Sequence, residues 1–294
     1  MNIICLDAEF ADNEELLELS IFNKDGEEFY HSYYKPVHID DWRTDIHHIT
    51  PEMVADSPSF SEESENLQRI FNGADLITGF AVDNDIRVLE HSGITGLGDK
   101  AILDVKDMYW YIKGRETEMS PFGVPSLIVC ANALDIEFDE NIAHSASVDT
   151  EFTLRCFNIL LEEYKSSDTG ERSLNEIIAR FITDVQNAKS EYIAEGAKGF
   201  VRVFKAGDVH KVKYGHLPAE ESGKLILEVE VEDRYKAEYE IRKMLKKKEV
   251  PGKYSVYKLT TKLLDDIKNY HNTYDAEESA WCKKIIRNLS RLTL

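Results

Sequence analysis

Four cysteines in 294 residues leave little to build with. Cys5, Cys130, Cys156 and Cys282 show no Cys-x-x-Cys pairing, which argues against a thiolate zinc site and a disulfide framework. Three of them sit among apolar residues and read as small core side chains. A reducing, cytoplasmic location is the expectation. Long apolar runs are missing too: no stretch approaches the roughly 18 residues that a spanning helix needs, so no membrane partner is expected. The chain enters a strand-like run directly, without a basic segment and a cleavable apolar run, so no secretory signal is expected. Gly93-Ile94-Thr95-Gly96-Leu97-Gly98 neither follows a strand nor opens a clear helix and lacks a following Lys-Ser/Thr, so it reads as a surface turn and not as a phosphate loop.

Positive charge is scarce in one half only. Residues 1–168 carry 11 Lys+Arg against 35 Asp+Glu, a net of about −24, which leaves 24 against 20, about +4, for residues 169–294. The halves are electrostatically different objects. An acidic half repels a polyanion except where bound cations reverse the local sign. The run Arg242-Lys243-Met244-Leu245-Lys246-Lys247-Lys248 either tracks a phosphate backbone or is the solvated face of a helix. The 43 % hydrophobic content suffices for a sizeable core.

What the acidic half does hold is a series of carboxylates in ordered settings. Ile3-Ile4-Cys5-Leu6 is an apolar strand-type run leading into Asp7-Ala8-Glu9, and side chains two apart on a strand share a face. Two carboxylates at the end of a buried strand repel each other unless a cation sits between them, and a hard divalent ion with oxygen ligands suits the gap. Asp83 and Asp85 follow Gly79-Phe80-Ala81, with Asp85 favoured by its spacing to Ile86 and Val88-Leu89. His144 precedes Asp149 by five residues, so a loop leading into a helix near Ser147 brings a metal ligand and a proton acceptor from one segment. A histidine with a reference pKa of about 6.5 is suited to take a proton from water near neutral pH.

In that order, Asp7-x-Glu9, Asp85 and His144-x4-Asp149 resemble the DEDDh (DnaQ-like) 3′-5′ exonuclease family. Ile46-His47-His48-Ile49-Thr50-Pro51-Glu52-Met53-Val54, Ile102-Leu103-Asp104, and Ser126-Leu127 through Leu134-Asp135-Ile136 resemble its supporting stretches. The likeness covers roughly residues 1–165. It implies two Mg²⁺ or Mn²⁺ ions held by Asp7, Glu9, Asp85 and Asp149, with Asp7 bridging and His144 as general base. It also implies a nucleic-acid substrate with a free 3′ end, shortened to nucleoside 5′-monophosphates. Single strands are preferred, with DNA somewhat favoured over RNA. Ala8, Phe10 and Phe80 are the candidate substrate contacts. Two positions depart from the family: Phe10 stands where Thr is frequent, as a base-stacking wedge or a core aromatic, and Phe80-Ala81 replace His-Asn. A polymerase or other protein partner, for which the chain would proofread, and a catalytically degenerate binding module are the alternatives.

Periodicity supplies a matching layout. Residues 2–7, 15–23 and 27–34 read as strands, 58–71 as a helix, 75–79 as a strand, 83–92 as a helix, 101–104 as a strand, and 126–134 and 147–164 as helices. Three antiparallel strands followed by two alternating with helices form an α/β, RNase H-like mixed five-stranded sheet flanked by helices. The polar stretch 166–170 is the expected linker, dividing a 1–168 exonuclease domain from a smaller α+β domain over 169–294. That second domain reads as a helix at 173–196, strands at 200–204, 209–214 and 225–232, and helices at 235–248 and 260–270. Its expected role is to bind nucleic acid, to bind a protein partner or to brace the first domain. Tyr109-Trp110-Tyr111-Ile112-Lys113-Gly114-Arg115 is read as core packing over a stacking platform. His47-His48 reads as loop-shaping, and Asp104 as orienting a neighbour or capping a helix.

Overall fold

The apolar run at the N-terminus forms β1 (Ile3–Phe10), the central strand of a five-stranded sheet in the computed structural model. Its first four residues are buried, as a strand covered on both faces requires. The strand runs through Asp7 and Glu9 to Phe10, three residues beyond the expected end. The structure describes residues 1–294 apart from 40, 118, 139–143, 168–169, 216–222, 251–254 and 292–294, and describes only the backbone of 284–291.

Two antiparallel strands lie to one side of β1, namely β2 (Leu16–Asn23) and β3 (Glu28–Tyr33). The turn between them is set by Asn23, whose Oδ1 accepts the N–H groups of Asp25 and Glu27 at 3.0 Å each. After the one-turn α1 (Thr44–His47) and α2 (Phe60–Gly73), β4 (Leu76–Gly79) joins β1 in parallel. The helix α3 (Asp83–His91) crosses to a parallel β5 (Ala101–Asp104), completing the order β3-β2-β1-β4-β5 of an RNase H-like sheet. Glu62 opens α2 by accepting the Ser59 N–H at 2.7 Å, half of a capping box.

Side-chain alternation gives the sheet two dressings. Ile4, Leu6, Ala8, Leu19 and Ile21 pack with Leu67 and Phe71 of α2 and with Val88 and Leu89 of α3. The opposite face carries Cys5, Asp7 and Glu9. Across β1 and β2 lies α6 (Ala146–Ser166), which buries Cys156, Phe157 and Leu160. Between β5 and α6 come α4 (Val105–Tyr109), a π-helical turn over Trp110–Gly114, a 3-10 turn over Arg115–Thr117, and α5 (Leu127–Ala133). Tyr109 and Trp110 are buried, and the Trp110 Nε1–H donates to the Met119 carbonyl at 2.8 Å. Core packing therefore accounts for that aromatic stretch.

Contacts divide the described chain into two compact units, 1–186 and 187–294. The boundary falls inside α7 (Leu174–Ala197) and not in the stretch 166–170, of which 168 and 169 lie outside the described residues. The cause is aromatic: Phe181 stacks on Tyr164 with centroids 3.9 Å apart, and the Tyr164 hydroxyl donates to Asp184 at 2.6 Å, so the first half of α7 is fastened to α6.

The second unit has an antiparallel sheet of β6 (Gly199–Ala206), β7 (Val209–Gly215), β8 (Lys224–Val231) and β9 (Val256–Tyr257), in the order β8-β6-β7-β9. Val201, Val203 and Val212 form its core with Ile241 and Leu245 of α8 (Arg234–Leu245) and Ile267 of α9 (Thr261–Lys268). A last helix, α10 (Ala276–Arg291), begins where Asp275 accepts the Glu278 N–H at 2.8 Å. Neither β9 nor α10 is foreseen from periodicity. Two residues are too few to show a strand period, and α10 begins with charged residues. Lys246–Lys248 extend α8 as an exposed 3-10 turn, at the carbonyl end where the helix dipole favours cations. Among the described residues no helix is long and apolar enough to cross a membrane.

Candidate active site

Asp7 and Glu9 share a face of β1 and reach a cleft also lined by Ala8, Phe10, Phe80, Asp85 and Asp149. The first motif and the two later aspartates thus arrive at one place from three elements. Asp85 comes from the first turn of α3, where it is 5 % exposed and its Oδ1 accepts the Ala8 N–H at 3.1 Å. Asp83 is exposed on the same helix, and of the two it is Asp85 that lines the cleft. Asp149 lies in the first turn of α6, and its Oδ2 accepts the His144 N–H at 3.4 Å. His144 is exposed, with φ at 67°. Ligand atoms of Glu9, His144 and Asp149 all lie within 4.8 Å of one another.

Backbone spacing brings the second motif close. A Cβ built on Gly79 would stand 2.7 Å from the Leu6 carbonyl oxygen and 2.7 Å from a Val82 methyl, so only glycine lets the end of β4 pass so near to β1. The chain then turns through Ala81 at φ 58°, and the Ala81 N–H donates to Asp104 Oδ1 at 2.9 Å. The same oxygen accepts the Lys106 N–H at 2.8 Å and caps α4. Asp104 therefore both orients a neighbour and caps a helix. Phe10 lines the cleft and also packs on the central core.

The cluster is costly as it stands. Burial, then the charges of Asp85, Glu9 and Asp149, push Asp7 well above the usual carboxylate range. Burial, then Asp149 and Glu18, push Glu9 up to about 8, with Arg43 pulling the other way. Burial raises Asp85 against the hydrogen bonds that it accepts, and burial raises Asp149 to about 6 although His144 opposes it. Asp149 Oδ1 is buried with no hydrogen-bond donor among the described residues. Four carboxylates with an unmet acceptor among them, plus an imidazole, fit a hard divalent cation: it would neutralise the repulsion and occupy the orphaned oxygen.

Residues outside the sequence motifs complete the walls. Arg43, Ile46, His47 and Asn84 line the cleft. Arg43 sits at φ 52°, a backbone state that no local pattern signals. His47 is buried and shapes its loop as expected, its Nδ1 accepting the Ile49 N–H at 3.1 Å. Glu18 was legible in principle, as a lone charge inside the apolar run Leu16-Leu17-Glu18-Leu19. It stands opposite Glu9 on β2 and is 1 % exposed.

The chain is similar to several known proteins. The chain is 38 % identical over 80 residues to RNA exonuclease 4 of Aspergillus fumigatus, a match covering 26 % of each protein. It thus spans about a quarter of that relative's length. Among solved structures it is similar to the Neurospora crassa Pan2 catalytic unit, a protease and nuclease domain, at TM-score 0.45 and 18 % identity over 62 % of this chain and 29 % of that one. It is also similar to a 3′-exonuclease described in 3′-end specific recognition of a histone mRNA stem-loop, at TM-score 0.43 and 13 % identity over 55 % of this chain and 82 % of that one. Residues 4–157, just over half of the chain and a span that includes the five motif positions, match the RNase T exonuclease model, and the chain belongs to that DnaQ-like exonuclease family.

Proposed function

We propose that this exonuclease removes nucleotides from the 3′ end of single-stranded RNA and releases nucleoside 5′-monophosphates. The observation that carries the reading is the meeting of Asp7, Glu9, Asp85 and Asp149 in one cleft with His144 at its edge. The RNA preference rests on the Aspergillus relative, an RNA exonuclease, and replaces the DNA preference read from sequence.

Asp7, Glu9, Asp85 and Asp149 would hold two Mg²⁺ or Mn²⁺ ions, which when bound supply charge stabilisation at the phosphoryl and leaving oxygens. His144, exposed beside Glu9 and Asp149, takes the proton of the attacking water. Phe10 and Phe80 on the cleft wall offer faces for the terminal base, and the side chain of Arg43 brings a cation within reach of a phosphate. The backbone of Ala8 is held by Asp85, so the strand approaching the substrate is fixed before binding.

A time course on 5′-labelled single-stranded RNA and DNA of one sequence, with Mg²⁺, with Mn²⁺ and with chelator, tests the reading beside an Asp149→Ala control. The expected result is a ladder shortening from the 3′ end, faster on RNA, dependent on metal and lost in the variant. Folded protein that binds the strands and cleaves neither would overturn it.

A further inference from the structure

Helix α6 carries Asp149 in its first turn and His144 just precedes its N-cap residue, Ser145, which makes no side-chain cap to the helix. The first turn is held from elsewhere. The Ala146 N–H donates to Glu18 Oε2 at 3.2 Å and the Ser145 hydroxyl donates to Glu18 Oε1 at 3.3 Å. That carboxylate sits on β2, 127 residues away in sequence from Ser145, and faces Glu9 across the ladder. Its Oε1 also meets His31 Nε2 of β3 at 2.8 Å. A carboxylate 1 % exposed is expensive to bury unless it is fully bonded, and this one draws donors from β3 and from the start of α6.

We propose that Glu18 is a positioning residue for this active site: it anchors the N-terminus of α6 to the sheet and thereby sets His144 and Asp149 against Asp7 and Glu9. An anion at a helix N-terminus is favourable in itself, because it meets free N–H groups at the positive end of the dipole. Here the anion comes from the strand beside the metal-bearing one, so the distance between β1 and α6 is fixed by a bond and not by apolar packing alone. Ser145 and Ala146 lie directly between the two functional residues in sequence, and a shift of this turn moves both. His31 meets the same Oε1 that accepts the Ser145 hydroxyl, so the carboxylate is tied to β3 as well. The inference rests on the proposed metal-dependent reading of the same cleft.

The experiment compares Glu18→Ala, Glu18→Gln and Asp149→Ala with the parent protein, by steady-state kinetics, Mn²⁺ titration calorimetry without nucleic acid, and hydrogen exchange by mass spectrometry. Removing a partner that orients ligands costs about 10- to 100-fold in metal affinity or activity. For Glu18→Ala the loss should fall on kcat and on Mn²⁺ affinity, with KM nearly unchanged and faster exchange confined to residues 144–150. Glu18→Gln keeps an acceptor for the Ala146 N–H and should recover most of the loss. If Glu18→Ala unfolds, Glu18→Gln and His31→Ala carry the test through the same three readouts, each with a smaller loss of the same pattern. Unchanged kcat, Mn²⁺ affinity and exchange at 144–150 in a folded Glu18 variant would overturn the proposal, as would faster exchange spread evenly over the domain. An Asp149→Ala protein as active as the parent would instead sink the catalytic reading, whatever Glu18 does.

Discussion

Asp104 and Asp149 occupy matching positions in two corners of the same domain. Each lies at the start of a helix, and burial raises each to about 6. Their partners differ. Asp104 Oδ1 accepts two backbone N–H groups, from Ala81 and Lys106, and its work is complete within the protein. Asp149 leaves Oδ1 buried without a donor among the described residues. Burial and a raised pKa are common to the two, and the unmet oxygen is what sets Asp149 apart from Asp104.

Substitution is the most direct way to break that contrast. Asp149→Ala is expected to lower kcat by about 10³-fold, the several kcal/mol that charge stabilisation by a held cation provides. Its metal-free melting temperature should not fall, because a buried like charge has gone. A drop in melting temperature with activity retained would give Asp149 the structural role assigned to Asp104.

Chelation tests the cluster as a whole. Glu9 and Asp149 stand at about 8 and 6 in the folded protein, above their ordinary 4.5 and 3.8. The folded state then binds more protons than the unfolded chain between those values, so without divalent ions stability should fall as pH rises from about 4 to about 8. Saturating Mg²⁺ at 100 times its Kd should return about 3 kcal/mol at the upper end, read from chemical denaturation with and without the ion.

Asp104→Ala should do the reverse of Asp149→Ala. Losing the cap costs about 1 kcal/mol, with up to about 2 for a strong cap, and leaves the Ala81 N–H unpaired. A melting temperature lower by a few degrees with kcat within threefold is the expected outcome, measured by scanning fluorimetry beside the activity assay. The smallest effect belongs to Asp83→Asn: exposed and outside the cleft, it should stay within about 0.5 kcal/mol in stability and within twofold in rate. A large loss of activity there would return the second motif to Asp83.

The sheet order and the motif positions could be read from sequence because they depend on local pattern. The apolar run of β1, the spacing of Asp7 to Glu9, and the turn after Asn23 each express themselves within a few residues. Glu18 and Arg43 escaped because what they do depends on partners far along the chain or on a left-handed backbone state that no periodicity encodes. The unit boundary was displaced for a similar reason: the polar stretch at 166–170 looks like a linker, but Tyr164 and Phe181 stack across it. Asp104 lay between, since its place at the end of β5 was visible and the N–H groups that it would meet were not.

Gly79 bears on how freely this chain could exchange parts with its relatives. The Leu6 carbonyl and Val82 leave no room for even one methyl group at residue 79. A loop transplanted from another exonuclease would carry Asp85 to its station only if it brought a glycine at that point. Without one, the graft would fold with its carboxylate displaced, and the fault would lie in a residue that never touches substrate.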